Sequence, residues 1–563
     1  MTSLPFISRR SPVMGTHGMV SSSQPLATQI GIDILKRGGN AADAAIATAA
    51  ALNVTEPCST GIGGDMFCLF YRASTRTVHA VNGSGRSPAA LTLQIARESC
   101  AENATCIPTT SAHAVTVPGA VTGWCDTFKL FGSGRLTMQD ILTPAVELAQ
   151  KGFPVSHITA HSWSNQAALL KSQSPGGADL LVDGRAPLPA ELFRNPALAG
   201  VLKEIGARGA EAFYTGRVAE AIVESLSAKG GVMTLQDLQC HLAHSLSIGP
   251  DALHQAALHN TTVVAPISTS FGGLRVWECP PNGQGLIALI ALNILEATPV
   301  LSHPVNSAEY LHYIIESLRL AFADGQFHIT DPTKSNIPLD TLLSKEYGRT
   351  RAQLIRPGCV LPATSTGVPV NSTDTVYFSV VDGEGNACSF INSNYTGFGS
   401  CIVPTGTGFS LQSRGSNFSL MPNHPNVVAP EKRPYHTIIP AMLTTDSGEL
   451  YASYGVMGGF MQPQGHVQVL LNLLKDDNPQ HALDLPRVCI TPDEHGDGLP
   501  TVLLEEGIDA AVLQQLAGWG HSVQHVTGTA RSVFGRGQVI RRLPTGVLVA
   551  GCDPRSDGMA CGW

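Results

Sequence analysis

The sequence predicts an α+β fold in which a largely helical first part is followed by a strand-rich second part. From about residue 115 to residue 350, apolar residues recur at helical spacing, as in the amphipathic segments 136–152 and 215–231, each of which ends in glycine. After residue 372, short stretches alternate apolar and polar residues between Gly, Pro and Asn turns, which is typical of strands. Helices grouped before strands are the pattern of an α+β protein.

The N-terminal part is predicted to begin with a loosely ordered lead-in over residues 1–20 and to continue as two helices. The first helix ends at a basic turn followed by glycine, Arg37-Gly38-Gly39. The second begins after Asn40, an N-cap residue with Asp43 three positions later. Alanine is so frequent in this second helix that it must pack closely against neighbours on most of its sides. An apolar strand, and then a strand that runs into a glycine-rich loop, are expected next.

The change from helices to strands falls at NSTDTVYFSVVDGEGNACSF, residues 371–390. Residues 376–381 alternate in the manner of a strand, residues 382–386 have the composition of a turn, and residues 387–391 form the expected returning strand. The polar pair Asp374-Thr375 stands immediately before the first strand. A buried-looking strand that begins with two polar residues needs an explanation.

The composition is that of a globular protein and excludes several classes of function. Of the 563 residues, 43% are hydrophobic and 14% are charged, so the chain can bury a large core as several domains or as one large fold with insertions. The net charge is −8 and no basic cluster occurs, which argues against nucleic-acid binding. Thirteen cysteines without a C-x-x-C pair indicate scattered thiols rather than a disulfide framework.

No targeting or membrane segment is recognisable, so a cytoplasmic location without a membrane partner is expected. The basic pair near the N-terminus is not followed by the apolar core of a secretory signal. The longest apolar run, Leu286–Leu295, is interrupted by Asn293 and is too short to span a bilayer.

Two groupings of histidine could supply metal ligands but lack the rest of a metal motif. Cys240 stands beside His241 and His244, while His157 and His161 have i,i+4 spacing. Neither grouping has a glutamate between its histidines or a second cysteine pair. Nineteen histidines produce such pairs by chance, so the sequence predicts neither a metal nor a cofactor.

Gly458 and Gly459 follow a short predicted strand and allow two interpretations. They can form a tight turn, or their backbone N–H groups can face a developing oxyanion, since no Cβ blocks the approach.

Thr375 also allows two interpretations. A threonine at the start of a strand normally reflects only the high β-propensity of this residue type. If the peptide bond before it were cut, its own α-amino group, with an unperturbed pKa of roughly 7.7–8.0, could accept the proton of its hydroxyl. A single residue would then supply both the nucleophile and the base.

A series of motifs in a fixed order extends over nearly the whole chain. The motifs are GGNAADAAIATAAALNVTEPCSTGIGGDMF, VPGAVTGW, TPAVELAQKGFPV, GGVMTLQDL, PPNGQGLIALIALNILEA, ESLRLAFAD, DTVYFSVVDGEGNA, FGS, EKRPYHTIIPAM, MGGF and DPRSDG. In these motifs the chain resembles the γ-glutamyltransferases (glutathione hydrolases), which are self-processing N-terminal-nucleophile (Ntn) hydrolases. The nearest likeness is to the glutathione hydrolase-like proenzymes that have no signal peptide.

The resemblance implies a four-layer αββα sandwich and a precursor that cuts itself between Asp374 and Thr375. A large subunit, residues 1–374, and a small subunit, residues 375–563, would remain together in one fold. Thr375 would attack a γ-glutamyl amide and form an acyl-enzyme, which water, an amino acid or a peptide would then resolve.

The resemblance also assigns supporting roles around the nucleophile. Gly458 and Gly459 align with the oxyanion-hole glycines of the family, and Ser393 aligns with a threonine that hydrogen-bonds the nucleophile. Arg86 is the candidate for the arginine that binds the substrate's α-carboxylate.

Several positions depart from the family pattern. Two replace residues that follow the nucleophile, and five replace residues that hold the substrate or line its site: they are Val376 and Tyr377, and Tyr395, Arg414, Asn417, His436 and Thr437. Asn417 stands where an aspartate pairs with the substrate's α-ammonium group. A charge-assisted hydrogen bond contributes roughly 1.5–3 kcal/mol, so this exchange weakens selection for a free amine.

These observations leave three hypotheses about function. The first is an Ntn amidohydrolase or transferase that acts on γ-glutamyl compounds such as glutathione. The second keeps the chemistry but takes other N-acyl amides, such as those with glutaryl or cephalosporin-type side chains, whose carboxylate would suit Arg86 and Arg414. The third is a pseudoenzyme that never cleaves itself and serves as a binding protein.

Overall fold

The computed structural model describes residues 10–246, 263–362, 374–492 and 499–563. The strands are β1 (Val13–Gly15), β2 (Met19–Ser22), β3 (Asp65–Arg72), β4 (Thr77–Gly83), β5 (Phe153–Pro154), β6 (Leu192–Phe193), β7 (Val263–Val264), β8 (Ile267–Phe271), β9 (Leu274–Glu278), β10 (Asp374–Val381), β11 (Ala387–Tyr395), β12 (Ala441–Thr444), β13 (Leu450–Met457), β14 (Val488–Thr491), β15 (Thr501–Glu505), β16 (Ser522–Val526), β17 (Arg536–Arg542), β18 (Leu548–Cys552) and β19 (Met559–Gly562).

The helices lie mainly between β4 and β10 and again after β13. They are α1 (Pro25–Lys36), α2 (Ala41–Thr55), α3 (Leu93–Glu98), α4 (Ala120–Phe131), α5 (Met138–Lys151), α6 (His157–Ser164), α7 (Ala167–Gln173), α8 (Pro196–Arg208), α9 (Glu211–Tyr214), α10 (Gly216–Ser227), α11 (Leu235–Leu246), α12 (Gly285–Glu296), α13 (Ala308–His328), α14 (Leu339–Leu342), α15 (Lys345–Ala352), α16 (Met461–Lys475), α17 (Pro479–Asp484) and α18 (Ala510–Gly518).

Two seven-stranded sheets form the centre of the described structure. The first sheet has the strand order β1-β18-β17-β13-β12-β9-β8, and the second has the order β19-β2-β10-β11-β3-β4-β7. Apolar side chains from both sheets, such as Phe67, Tyr377 and Met442, form one core between them. A second core packs α1, α2, α4 and α5 on the outer face of the second sheet. A third core packs α12, α13 and α16 on the outer face of the first sheet. These layers confirm the predicted αββα sandwich.

The sequence of strand β10 is apolar on both faces of the strand because both faces are buried. Val376, Phe378 and Val380 point into the core beneath the helices, while Tyr377 and Val381 point into the core between the sheets. Successive side chains of a strand alternate between its two faces, and here both faces are covered. The turn after β10 and the returning strand β11 lie where the sequence predicts them.

Helix α2 has the predicted start and the predicted surroundings. The side chain of Asn40 accepts hydrogen bonds from the backbone of Ala42 and Asp43, and the Asp43 side chain accepts from the Asn40 backbone, which completes a capping box. Every residue of the helix is buried, as its alanine content requires. The backbone N–H of Ala41 donates to Asp382, so the helix start is fixed to the β10–β11 turn.

Two expectations from the sequence are wrong. Residues 13–15 and 19–22 are strands rather than a loose lead-in, because each pairs with a C-terminal strand, β18 and β19 respectively. The largely helical stretch also contains β8 and β9, which extend the first sheet beside β12. Both sheets therefore mix strands from either side of residue 374, and helices and strands are not segregated along the chain.

Helix α12 contains the longest apolar run of the sequence and lies in the interior. Its side chains from Leu286 to Leu295 are buried, and they contribute to the core against α13 and α16. Asn293 interrupts the run and donates to the carbonyl of Leu343 at 2.9 Å. In the described part of the chain, no helix combines the length and apolarity needed to cross a bilayer.

Candidate active site

Thr375 lies at the head of β10, in the middle of the second sheet. Its side chain is 1% exposed, and its Oγ1 is 2.9 Å from Oγ of Ser393 on the neighbouring strand β11. The backbone of Asp374 pairs with Tyr395, and the register shifts between Asp374 and Val376. A bulge at this point turns the threonine out of regular pairing.

Further hydrogen bonds hold the Ser393 side chain beside Thr375. The backbone N–H of Tyr395 donates to Ser393 Oγ at 2.9 Å, and Nη2 of Arg414 donates at 3.3 Å. In the bond between Ser393 and Thr375 either hydroxyl can be the donor.

Arg414 lies in a short 3-10 turn, residues 414–417, and is fully buried. Its Nη1 donates to Oγ1 of Thr437 at 2.6 Å, and its guanidinium lies 4.5 Å from the ring centre of Tyr395. Burial lowers the pKa of Arg414 to about 10, so the group stays charged at neutral pH. A cation over an aromatic face is stabilised by the ring's negative face.

The glycine pair lies at the same end of the sandwich as Thr375. Strands β10 and β13 face each other, with Ser379 against Ser453 and Tyr377 against Gly455. If this antiparallel facing continues for two more residues, we expect Thr375 to lie opposite the end of β13, near Gly458. Gly458 and Gly459 have φ values of +134° and +56°, which favour glycine and turn the backbone before α16.

Gln284, at the start of α12, connects the glycine pair to the Arg414 contacts. Its Nε2 donates to the carbonyl of Gly459 at 2.8 Å and to that of Thr437 at 2.6 Å. Its Oε1 accepts from the hydroxyl of Tyr435 at 2.8 Å. Because the N–H groups and the oxygen of this side-chain amide are all hydrogen-bonded, Gln284 fixes the positions of both carbonyls.

Asn417 lies one contact away from Arg414. Its Nδ2 donates to the carbonyl of Tyr435 at 3.2 Å, and its side chain also hydrogen-bonds Tyr395, the residue that stacks on Arg414. The structure thus places the neutral amide of Asn417 against Tyr395 and Tyr435, and its role in substrate binding stays a prediction.

His436 binds Asp65. Its Nε2 donates to Oδ2 of Asp65 at 3.0 Å, and its Nδ1 accepts from the backbone of Ile438 at 3.3 Å. Burial lowers the pKa of His436 well below its ordinary value, so the ring is neutral. Because both ring nitrogens have protein partners, the histidine positions Asp65 in this chain; its predicted role in substrate binding stays a prediction.

Asp65 begins β3 and pairs through its backbone with Ser393. Its carboxylate also accepts backbone N–H groups of Gly85 at 3.3 Å and Gly119 at 3.1 Å. Burial raises its pKa to about 7, and the nearby charge of Arg414 opposes that rise.

Arg86 is not in direct contact with the group around Thr375. Its Nη1 donates to Asp331 at 2.7 Å and to the carbonyl of Glu431 at 3.0 Å. Arg433 lies between this pair and Asp65: its backbone N–H donates to Asp331 and its Nε to the carbonyl of Ser84. The assignment of Arg86 to the substrate's carboxylate stays a prediction.

Of the metal candidates of the sequence, His241 has a hydrogen-bond partner in the protein, and the side chain of His244 lies outside the described part of the structure. His241 contacts Oγ1 of Thr122 at 2.9 Å. A different group, His312, Glu316 and His521, brings its ligand atoms within 4.8 Å of one another. Glu316 already accepts from Arg319 at 2.7 Å, and the guanidinium next to it disfavours a cation.

Sequence reasoning missed Asp65, Gln284 and Arg433 as members of this region. Asp65 follows the glycine-rich stretch GIGG, and Gln284 lies in the motif PPNGQG. A charged or amide side chain directly before an almost uninterrupted apolar run is the signal that could have identified the first two.

The layered sandwich, with a hydroxyl nucleophile candidate heading a central strand, defines an Ntn-hydrolase fold. The family model described as Gamma-glutamyltranspeptidase matches residues 27–563. The chain belongs to that family, which contains hydrolases and acyltransferases.

Similar proteins cover the chain almost completely. A glutathione hydrolase-like YwrD proenzyme of Bacillus subtilis is 38% identical over 98% of this chain and 99% of its own length. An oxamate amidohydrolase proenzyme of Klebsiella pneumoniae is 33% identical over 98% and 99%. A crystal structure of a cephalosporin acylase from Bacillus halodurans has a TM-score of 0.87 and 40% identity, covering 100% of this chain and 99% of that one.

Proposed function

We propose that this protein is a self-processing amidohydrolase whose nucleophile is Thr375. The observation that carries the proposal is the buried contact of 2.9 Å between Thr375 Oγ1 and Ser393 Oγ at the head of β10. This contact places a second hydroxyl on the threonine oxygen, and the α-amino group freed by cleavage would supply the base of the catalytic pair.

Processing begins with attack of Thr375 Oγ on the carbonyl carbon of Asp374. The hydroxyl proton passes to the Thr375 nitrogen as the peptide C–N bond breaks, which leaves an ester between Asp374 and the threonine oxygen. Water then hydrolyses the ester, giving a carboxylate at Asp374 and a free hydroxyl and α-amino group at Thr375. The products are the subunits 1–374 and 375–563.

Turnover repeats this chemistry on a substrate. The α-amino group accepts the hydroxyl proton while Oγ attacks the amide carbonyl, and the proton then passes to the leaving amine. Gly458 and Gly459 are proposed to donate backbone hydrogen bonds to the oxyanion, which is where preorganised donors have their largest effect. Water releases the acyl group as a carboxylic acid, or an amino acid or peptide amine accepts it as a new amide.

The proposed substrates are amides whose acyl group carries a carboxylate. Arg414 supports this class, because its buried guanidinium contacts Ser393 and Thr437 on the side of the nucleophile. γ-Glutamyl compounds such as glutathione are the first candidates, since the family and the Bacillus subtilis relative carry names of that activity.

A second candidate substrate group is favoured by Asn417. A neutral amide at this position offers an α-ammonium group no ion pair, so acyl groups without the amine lose nothing there. Glutaryl and cephalosporin-type side chains have this chemistry, and two of the relatives are named as an acylase and an oxamate amidohydrolase.

Denaturing electrophoresis of the purified protein tests the nucleophile. We expect two bands with the sizes of residues 1–374 and 375–563, an N-terminal sequence of Thr-Val-Tyr for the smaller one, and a single uncut chain for Thr375→Ala. Thr375→Ser is the matched variant, because it retains a hydroxyl and should still cut.

The result that contradicts the proposal is equally clear. A single full-length band that persists during long incubation, in protein that is folded by circular dichroism, would instead support the pseudoenzyme hypothesis. The Thr375→Ala variant can also be assembled from the two subunits produced separately, so that it resembles the cut protein. Hydrolysis of γ-glutamyl and glutaryl anilides by this assembled variant would exclude Thr375 as the nucleophile.

A further inference from the structure

Five charged side chains that alternate in sign lie between Ser393 and the protein surface. Each interacts electrostatically with the next, in the order Arg414, Asp65, Arg433, Asp331 and Arg86. The first four are buried, and the side chain of the last is 19% exposed. Each of the two carboxylates therefore acts on a guanidinium on either side of it.

The two carboxylates differ in how they reach these guanidinium groups. Asp331 accepts from Nη1 of Arg86 at 2.7 Å and from the backbone N–H of Arg433 at 2.9 Å. Within the described part of the chain, Asp65 forms no ion pair with a guanidinium, and its oxygens accept from the ring of His436 and from two backbone N–H groups. The charge of Asp65 therefore acts on its two neighbouring cations through space and lowers the positive potential around both.

The charge of Asp65 varies near neutral pH. Burial raises its pKa to about 7, and the charges of Arg414 and Arg433 oppose that rise. Among the described residues, two other titratable groups act on it or contact it, His436 and Tyr214. Burial keeps the pKa of the histidine well below its ordinary value and raises that of the tyrosine, so neither changes charge near pH 7.

We propose that Asp65 is a specificity-determining residue whose negative charge weakens the binding of acyl groups that carry a carboxylate. This inference rests on the proposed function, in which Arg414 lies on the side of the nucleophile, and it adds regulation of that site by pH. At an effective dielectric constant of about 20, two like charges about 10 Å apart repel enough to change binding roughly 10-fold. An acyl group without a charge experiences no such repulsion.

The same charge favours release of the product. Hydrolysis converts the reacting carbonyl into a second carboxylate, so the released diacid carries one more negative charge than the substrate did. The repulsion by Asp65 is therefore larger for the product than for the substrate.

Asp65→Asn in the self-cleaved protein tests the inference, because it removes the charge and retains an oxygen that can accept the backbone N–H groups. The substrates are glutaric acid mono-para-nitroanilide and its neutral methyl ester, and glutarate serves as a competitive inhibitor. At pH 8 we expect the variant to lower KM for the acid roughly 10-fold, and Ki for glutarate by a larger factor. KM for the ester should change by less than about 2-fold, since the ester lacks the charge on which Asp65 acts.

The pH dependence of the same constants separates a charge effect from a structural one. In the unsubstituted protein, KM for the acid should rise relative to KM for the ester as the pH increases from 5.5 to 8.5, because Asp65 loses its proton in this range. At pH 5.5 the two proteins should agree. The α-amino group of Thr375 also titrates near this range, but it is present in both proteins, so their ratio isolates Asp65.

Asp382→Asn is the matched control. Asp382 is also a buried aspartate whose oxygens accept backbone N–H groups and whose pKa is raised by burial. It follows the far end of β10, whereas Thr375 lies near the start of that strand. The control should leave the ratio of the two KM values unchanged at both pH values.

Two results would overturn the inference. One is an equal change of KM for acid and ester in Asp65→Asn, which would indicate a structural role. The other is a ratio of the two KM values that stays constant from pH 5.5 to 8.5 in the unsubstituted protein, and this measurement decides the matter if the variant does not fold. An uncut chain, or self-cleaved protein that hydrolyses neither substrate nor a γ-glutamyl anilide, would overturn the proposed function and this inference with it.

Discussion

Two buried clusters of arginine and carboxylate in this protein differ in how completely their charges are paired. In the cluster near the C-terminus, Arg555 donates to Glu505 at 2.7 Å and to Asp553 at 3.0 Å, while Arg487 donates to Asp553 at 2.8 Å. Although burial opposes it, Arg487 and Arg555 keep the pKa of Asp553 below its ordinary value. Each carboxylate in this cluster is matched by cations in contact with it.

The cluster beside Thr375 has the same residue types without the matching contacts. Asp65 is bound by backbone N–H groups and by the neutral His436, and its pKa rises to about 7. Arg414 contacts hydroxyls, and its pKa falls to about 10. The opposite directions of these shifts show that burial dominates here, whereas ion pairing dominates near the C-terminus.

The largest expected effect comes from breaking the C-terminal cluster. Arg555→Met would leave Glu505 and Asp553 buried with too few cations, at a cost of about 3–5 kcal/mol. Arg414→Gln removes a cation that forms no ion pair with the described residues, so its cost should be below about 2 kcal/mol. Urea unfolding midpoints, measured in the Thr375→Ala background so that the chain stays in one piece, compare the two. Equal losses would remove the distinction between the clusters.

The next effect concerns the pH dependence of stability. The contributions of Asp65 and Asp553 to stability should change in opposite directions with pH. The folded state binds a proton at Asp65 more tightly than the unfolded state, because its pKa is about 7 instead of 3.8. Its contribution is therefore fully present below the ordinary pKa and is lost as the pH rises towards 7, with a slope of up to about 1.4 kcal/mol per pH unit. The Asp65→Asn variant should lack this slope. Its stability should therefore rise relative to that of the unsubstituted protein between pH 4 and pH 7.

Asp553→Asn is the matched control for that measurement. The pKa of Asp553 is lowered in the folded state, so its contribution is present above the ordinary pKa and is lost as the pH falls through the folded value. Between pH 4 and pH 7 its difference from the parent should stay constant. Parallel curves for Asp65→Asn and the parent across this range would contradict the assignment of Asp65.

The smallest effect is expected from an arginine–carboxylate pair at the surface. Arg185 donates to both oxygens of Glu191, at 2.7 Å and 2.8 Å, and both side chains are accessible to solvent. Solvent and salt screen such a pair, so Arg185→Gln should shift the unfolding midpoint little, and not at all in high salt. A shift comparable to that of Arg555→Met would show that burial is not what separates these pairs.

Local features of the fold could be predicted from the sequence, while the pairing of distant strands could not. The cap of α2 and the β10–β11 turn depend on residues a few positions apart, and both lie where the sequence places them. Strands β8 and β9 were missed because they are short and depend on β12, more than 150 positions later, to complete their sheet. Similarity to a family, rather than periodicity, identified the layered architecture.

The same difference between local and distant contacts applies to the candidate site. Thr375, Ser393, Arg414 and Thr437 were named from the sequence, and the structure brings them into contact. Asp65 was not named, since its partners Gly85, Gly119 and His436 are distant in the chain and nothing near Asp65 indicates them.

The position of β10 has a consequence for how the protein matures. This strand pairs with β2, which in turn pairs with β19, so residues near 20, 380 and 560 meet in one sheet. Contacts so far apart in sequence form late, because long loops must close first. The bond before Thr375 therefore reaches its final surroundings only after the ribosome has released nearly the whole chain. If the proposed self-cleavage takes place, the two-band pattern on a gel would count the molecules that have completed folding.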